Sequence, residues 1–336
     1  MISRPDRQAD TRAPRPAWSP TTVPEQSSVV RALTVRDRWV LRMVYEHRVL
    51  TTDQLADLAF PTAKIARRRL AILHTYQVLD RFRPMRTRGT APHHWTLAPA
   101  GAAILAAEAG VSVRELGYNH QTTLSVAHSL HLTHTLGVNE WFTTLTTLTT
   151  HSANSARVSR WWSQTRCQRL WGDLARPDAY GRYTHGETVF DFFLEYDLGT
   201  TSLPRVAAKL HGFAELARTT GAITPVLFWV PTTLRETNAR VVLRRTWERL
   251  PDPEAVPVAT AAAEFLGTIS GTSPADPVWL PLHTDSGRKH LHELGTVWAR
   301  RTAPDDGIDA ESTWAPLSGT VALAPPPPSP PASEFW

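Results

Sequence analysis

The sequence predicts an α/β chain with a mixed sheet, preceded by a small basic domain of helices and a hairpin. Three observations carry that expectation. From about residue 122 to 250, helical periodicity and apolar strand-like runs follow one another as helix, strands, helix, strand, helix, the order of an α/β sandwich. Residues 31–96 hold thirteen arginines and lysines against five acids, an excess of eight that is larger than the net +5 of the whole 336-residue chain. The stretch 190-FDFFLEYDLGT-200 reads as a buried strand ending on Glu195 and Asp197, which strand alternation puts on one face. Two neighbouring carboxylates at the end of an apolar run repel each other and resist burial, so they need water, a cation or a counter-charge.

Residues 1–30 are rich in Pro, Arg, Ser and Thr without periodicity and read as a disordered arm. They lack the apolar core of a secretory signal, and no window approaches a membrane span, which makes a cytoplasmic protein the expectation. The first folded unit is expected over 33–110. Thr34 can cap a helix over 35–48 with Val40, Leu41, Val44 and Tyr45 on its apolar side, and Thr51 opens a short helix over 51–60. A third helix, 62–77, places Ile65, Leu70, Leu73 and Tyr76 inward and Lys64, Arg67 and Arg68 together on the other face. Strands over 78–84 and 93–99 follow, joined by the basic tip 85-MRTRGTA-91, and a helix over 100–110 closes the unit. Three helices followed by a basic hairpin is the layout of a winged helix-turn-helix, in which the third helix enters the major groove and the hairpin grips phosphates. On that layout Lys64, Arg67 and Arg68 meet DNA, and Arg86 and Arg88 meet phosphates.

The second unit, expected over 120–315 with its core at 120–250, opens on one long helix over 122–148. A strand over 156–166, a turn-rich stretch containing 176-RPDAYGRY-183, the strand 188–197 and a helix over 203–218 come next. A buried strand over 225–230 and a helix over 233–249 follow. The region 250–315 shows no readable order, and 318–336 reads as a solvated, disordered polyproline tail.

Asp178 follows Pro177 in a turn leading into the sheet, Glu195 ends a strand, and Lys209 lies on the next helix. Two acids and a lysine in that order suit a divalent-metal site for phosphodiester hydrolysis. Mg²⁺ (or Mn²⁺) takes one or two carboxylates plus waters and phosphate oxygens, and an ammonium stabilises charge developing on the phosphate. Only three of the 36 basic residues are lysines, namely Lys64, Lys209 and Lys289, so a compact ammonium at 209 is a departure from this chain's default cation.

This order resembles the PD-(D/E)xK nuclease superfamily, with Pro177 and Asp178 as the PD and Glu195 as the strand acid. Asp197 stands where that motif has its lysine; some members supply the lysine from the following helix, where Lys209 lies. Glu140 resembles the extra helical acid that many members place near the metal. With LTVRDRWVLRMVYEHRVLTTDQLADL, HTLGVNEW, RPDAYGRY and FFLEYDLGT…KLHGFAEL, residues 33–250 resemble the replication-relaxation family of plasmids and mobile elements. That resemblance implies a restriction-endonuclease-like α+β core behind a winged helix, and DNA handling in replication or transfer. It makes His134 a candidate phosphate contact and Asp197 an auxiliary acid. DNA is the implied partner; a homodimer and other replication proteins are compatible with it. Two functions stand open: a Mg²⁺-dependent DNA endonuclease or nickase, and a non-enzymatic replication or transcription regulator on a degenerate nuclease fold.

Other chemistries are disfavoured. His128, His131 and His134 are spaced by three and fan round a helix instead of converging. A rolling-circle nickase would use a His-apolar-His pair and a tyrosine; 290-HLH-292 is present, but 286–300 reads as a capped helix with the two rings pointing apart, and no tyrosine follows Tyr196. There is no phosphate-loop or dinucleotide glycine pattern, and Cys167, the single cysteine, rules out an intramolecular disulfide or a Cys-rich zinc site.

Overall fold

The computed structural model describes residues 23–84, 89–129, 131–150, 156–267, 273–284, 287–298, 321 and 323–331. It divides into two units, 1–139 with 316–336, and 140–315. The chain has the mixed α/β architecture expected from the sequence. Among the described residues no helix is long and apolar enough to cross a membrane.

The first unit begins with α1 (Val23–Ala32), so the end of the segment expected to be a disordered arm is helical; residues 1–22 lie outside the described residues. Next come α2 (Val35–His47), β1 (Leu50–Thr51), α3 (Thr52–Ala59) and α4 (Ala63–Thr75). Each of α2, α3 and α4 starts on a threonine, Thr34, Thr51 and Thr62, whose hydroxyl accepts from a backbone N–H three residues on. β2 (Leu79–Phe82) and β3 (His94–Leu97) form a hairpin with β1 on its far edge, in the order β1-β3-β2 and antiparallel throughout. α5 (Pro99–Glu108) follows.

On α4, Leu70 and Leu73 are buried as expected, but Ile65 is 47 % exposed and Tyr76 only half-buried, while Ala66 takes the inward place near the start of the helix. Arg69, on the flank, donates from Nε to Asp37 Oδ1 at 2.8 Å and ties α4 to the first turn of α2. Burial works against the Asp37 charge, yet the Arg69 and Thr34 hydrogen bonds outweigh it and hold the carboxyl below its ordinary value. The folded pKa is depressed, so this contribution is complete above about pH 4 and is lost as the pH falls through the folded value. Arg69→Ala leaves the buried Asp37 carboxylate with the Thr34 hydrogen bonds but without its counter-charge, and is expected to lower stability by about 3 kcal/mol, measurable as a shift in the thermal unfolding midpoint.

The helix expected over 122–148 is broken. α6 (His120–Ser125) passes into a 3₁₀ turn (Val126–His128), Ser129 is extended, and only then does α7 (Leu132–Thr150) begin. Serine hydroxyls supply the competing bonds: Ser125 donates to Thr122 O at 2.8 Å and Ser129 Oγ accepts from His131 N at 3.1 Å.

Residues 323–331 were expected to be solvated and instead lie on the first unit. Trp39 Nε1 donates to Pro327 O and Arg42 Nη2 to Ala324 O, both at 2.8 Å, and Pro326 and Pro328 are buried. The two acceptors are three residues apart, the repeat of a polyproline helix, and so are the two donors on α2. Proline's fixed φ leaves little chain entropy to lose on docking, and a buried indole N–H needs an acceptor.

The second unit is built on six strands: β4 (Ala156–Ser163), β5 (Ala179–His185), β6 (Thr188–Tyr196), β7 (Val226–Val230), β8 (Val258–Ala262) and β9 (Leu280–Pro281), lying side by side in that order. β4, β5 and β6 are antiparallel, β6, β7 and β8 parallel, and β9 returns antiparallel. The strand expected over 156–166 stops at Ser163 because Ser163 caps α8 (Gln164–Trp171). α9 (Leu203–Thr220), α10 (Thr233–Trp247), the short α11 (Glu264–Gly267) and α12 (Leu291–Trp298) complete it. Trp162, Tyr180, Phe193 and Phe228 share a core with Val206, Leu210 and Phe213 of α9 and Leu243 of α10. Neighbouring strand positions build a second aromatic layer: Phe142 of α7 stacks on Trp161 and Phe192, and Trp298 of α12 on Phe190. Among the described residues, the region beyond 250, where the sequence shows no readable order, therefore supplies β8, β9, α11 and α12 to this unit.

Candidate active site

Strand pairing brings the predicted acids together. β5 and β6 pair Ala179 with Leu194, and Asp178 N donates to Leu194 O at 3.1 Å, so Asp178 and Glu195 sit at the same end of adjacent strands. Asp178 Oδ2 is held by the backbone N–H of Tyr196 at 2.8 Å, and Oδ1 receives Gln164 Nε2 from the first turn of α8 at 3.4 Å. α9 supplies the third group: Lys209 Nζ is bonded to Glu195 Oε2 and lies 3.9 Å from Asp178 Oδ1. Gly212, one turn further along α9, makes the approach possible, since a Cβ there would lie 2.4 Å from Leu174 O in the segment leading to Asp178.

Both acids are buried, Asp178 5 % and Glu195 3 % exposed, whereas the Lys209 side chain is 42 % exposed. Lys209 is thus the most exposed side chain of the trio. Burial, and after it the Asp178 charge, pushes Glu195 well above the ordinary carboxylate range against the pull of Lys209. Burial opposes the Lys209 charge too, but Glu195 and Asp178 outweigh it and hold the ammonium above the usual lysine range. Glu195 Oε1 is buried with no hydrogen-bond partner. An oxygen-only pair of carboxylates, one of them with an unbonded buried oxygen, fits a hard divalent cation such as Mg²⁺ or Mn²⁺.

The other candidates are placed differently. Asp197 Oδ2 accepts from Arg235 Nε of α10 at 2.6 Å and Oδ1 from Gly199 N at 2.9 Å, where Gly199 turns at φ 79°. Its charge is already matched and its role is to fix the β6–α9 turn. Glu140 is exposed on α7 and acts electrostatically on Tyr196. Among the described residues no three His, Cys, Asp or Glu side chains converge as a metal set, so Glu140 does not join Asp178 and Glu195. His134 is half-buried in the part of α7 that belongs to the first unit. His290 and His292 do not point apart: α12 starts only at Leu291, and their rings lie 5.2 Å apart with His185 stacked 4.2 Å from His292.

Lys64, Arg67 and Arg68 are exposed on α4, without an ion pair among the described residues, and flank the exposed Ile65. Arg86 and Arg88 lie outside the described residues. Gln164 and Arg235 were not picked out by the sequence reading. Ser163 ahead of a helical run could have signalled Gln164, because it puts the side chain in a first turn beside the strand end. Arg235 follows the Thr232 cap of α10 at the end of β7, the parallel neighbour of β6.

A family model described as Replication-relaxation matches residues 41–227, which include Asp178, Glu195 and Lys209. No curated protein and no solved structure matches the chain.

Proposed function

The chain belongs to the replication-relaxation family, and on that premise we propose that it binds DNA through its first unit and hydrolyses a phosphodiester bond at Asp178, Glu195 and Lys209, in the replication or transfer of a plasmid or mobile element. The observation that carries the reading is the buried carboxylate pair with the unpartnered Glu195 Oε1 beside the partly exposed Lys209 side chain. In the first unit, the order helix, strand, two helices, two strands and the exposure of Lys64, Arg67 and Arg68 on α4 support a winged-helix reading with α4 as the recognition helix. In the second unit, the six-stranded mixed sheet with helices beside it and the acids at strand ends supports reading it as a restriction-endonuclease-like core.

Asp178 and Glu195 would hold Mg²⁺ or Mn²⁺, which when bound supplies an activated water and charge neutralisation at the phosphate. Tyr196 N and Gln164 orient Asp178, so its carboxylate is set before substrate arrives. A cation relieves the repulsion that raises Glu195, and Lys209, the exposed member, meets the phosphodiester and stabilises the negative charge that builds on its oxygens.

Conversion of supercoiled plasmid to nicked or linear form tests this, in Mg²⁺, Mn²⁺ or EDTA. Metal-dependent cutting is expected in the wild type, reduced at least about 100-fold in Glu195→Ala. A regulator on a degenerate nuclease fold is the second reading, favoured by Lys209 already lying against both acids and by Asp197 being neutralised by Arg235. Equal DNA binding by both proteins without cutting in any metal would select it.

A further inference from the structure

The hairpin of the first unit carries a cation cluster unrelated to the acids. β2 pairs Arg81 with Trp95 and Phe82 with His94, so Arg81, Arg83 and His93 lie on one face. Arg83 Nη2 is 2.9 Å and Arg81 Nη1 3.4 Å from the same atom, His93 Nε2. An arginine only donates, so Nε2 is the acceptor and the imidazole is neutral with its proton on Nδ1. That Nδ1 is buried with no hydrogen-bond partner. Both arginines are exposed, and among the described residues neither pairs with a carboxylate. Arg81 also stands 5.7 Å from the centre of the Trp95 ring. Two guanidiniums that could each grip an oxyanion thus share one neutral nitrogen lone pair, a weak acceptor for two positive charges.

We propose that Arg81, Arg83 and His93 form a phosphate clamp, in which a phosphodiester oxygen of bound DNA replaces His93 Nε2 as the acceptor for the two arginines. This rests on the DNA-binding reading of the first unit and adds a site that Lys64, Arg67 and Arg68 do not include. Displaced from the arginines, Nε2 is free to take a proton and donate to the phosphate, so binding takes up a proton. In the free protein burial, then Arg81 and Arg83, then His74 of α4 and the neighbouring His94, hold His93 down to about 4. Asp80 Oδ1 lies 3.9 Å from His74 Nε2, and the charges that act on His93 are those of Arg81, Arg83, His74 and His94. A bound phosphate offsets the arginine charges and raises His93. Affinity therefore rises as the pH falls through the bound-state value and levels off near the free value, below which both states are protonated.

Fluorescence anisotropy of a labelled 20-base-pair duplex tests the clamp, with the full chain in EDTA at constant salt. If bound His93 returns to an ordinary value, affinity gains about tenfold between pH 7.5 and 5.5. His93→Gln is expected to lose that gain, and Arg83→Gln to weaken binding at both pH values, with unchanged thermal unfolding as the control for folding. A wild-type affinity that changes with pH no more than that of His93→Gln overturns the clamp, as does an Arg81→Gln, Arg83→Gln double variant that binds like wild type. Salt-sensitive binding surviving in those variants leaves the DNA reading standing without the clamp. No duplex binding by the wild type removes both. A second arm follows the His93 imidazole C–H proton by NMR on adding sodium phosphate in place of chloride: a shift there without duplex binding would assign the site to free phosphate and overturn the DNA source.

Discussion

Lys209→Met is expected to destabilise the second unit by about 2 kcal/mol at neutral pH, and millimolar Mg²⁺ is expected to restore much of the loss. Removing one partner of a fully buried pair costs about 3–5 kcal/mol; the smaller figure discounts for the Lys209 side chain being 42 % exposed and so partly screened by water. What remains is two buried acids at adjacent strand ends with no cation between them. The pH dependence has a definite sign. Glu195 is raised above its unfolded value, so the folded state binds its proton more tightly than the unfolded one, and stability falls as the pH rises from about 4 through the folded value. Without Lys209 that rise is larger, so the deficit of the variant shrinks on acidification. Glu195→Gln in the same background removes the charge and should recover stability without metal. Urea unfolding followed by tryptophan fluorescence, with and without Mg²⁺, reads all three. A Lys209→Met protein as stable as wild type and indifferent to Mg²⁺ would mean that the acids do not need a cation at all.

Replacing Lys64, Arg67 and Arg68 together by glutamine is expected to weaken duplex binding roughly 100-fold at 0.1 M salt and to flatten the plot of log K against log salt by about 2.7, the release of three counterions. All three are exposed and unpaired among the described residues, so the unfolding midpoint should not move. The contrast with Arg69, their neighbour, is diagnostic. It is committed to Asp37, so Arg69→Ala should lower stability and leave the salt slope close to that of wild type. A triple variant with the wild-type slope would remove α4 from the DNA interface.

The parts of the fold that were legible in the sequence are those with a local cause. Thr34 and Thr51 announce their helices because a cap bonds its own first turn, and 225-PVLFWV-230 announces β7 because five consecutive apolar residues fit a strand buried on both faces. β8 escaped notice: Val258–Ala262 is just as buried, but its alanines carry little strand propensity and no period. Ile65 was misplaced because helical spacing alone does not say which of two adjacent faces the rest of the unit covers. At the candidate site, Asp178, Glu195 and Lys209 could be proposed from their order and residue types. The separation of Glu195 from Asp197 could not. It depends on Arg235, 38 residues further on, and no local pattern shows which of two acids on one strand face a distant arginine will take.

Trp39 and Pro327 are separated by 288 residues of chain. At roughly 5–20 residues per second, synthesis of that interval takes about 15–60 s. α2 is thus made early, but the side of it that carries Trp39 and Arg42 gains its acceptors only after β4 to β9 have been translated. The first unit is begun first and finished late. A nascent chain stalled before residue 324 would hold an indole N–H and a guanidinium still waiting for the carbonyls that the structure gives them.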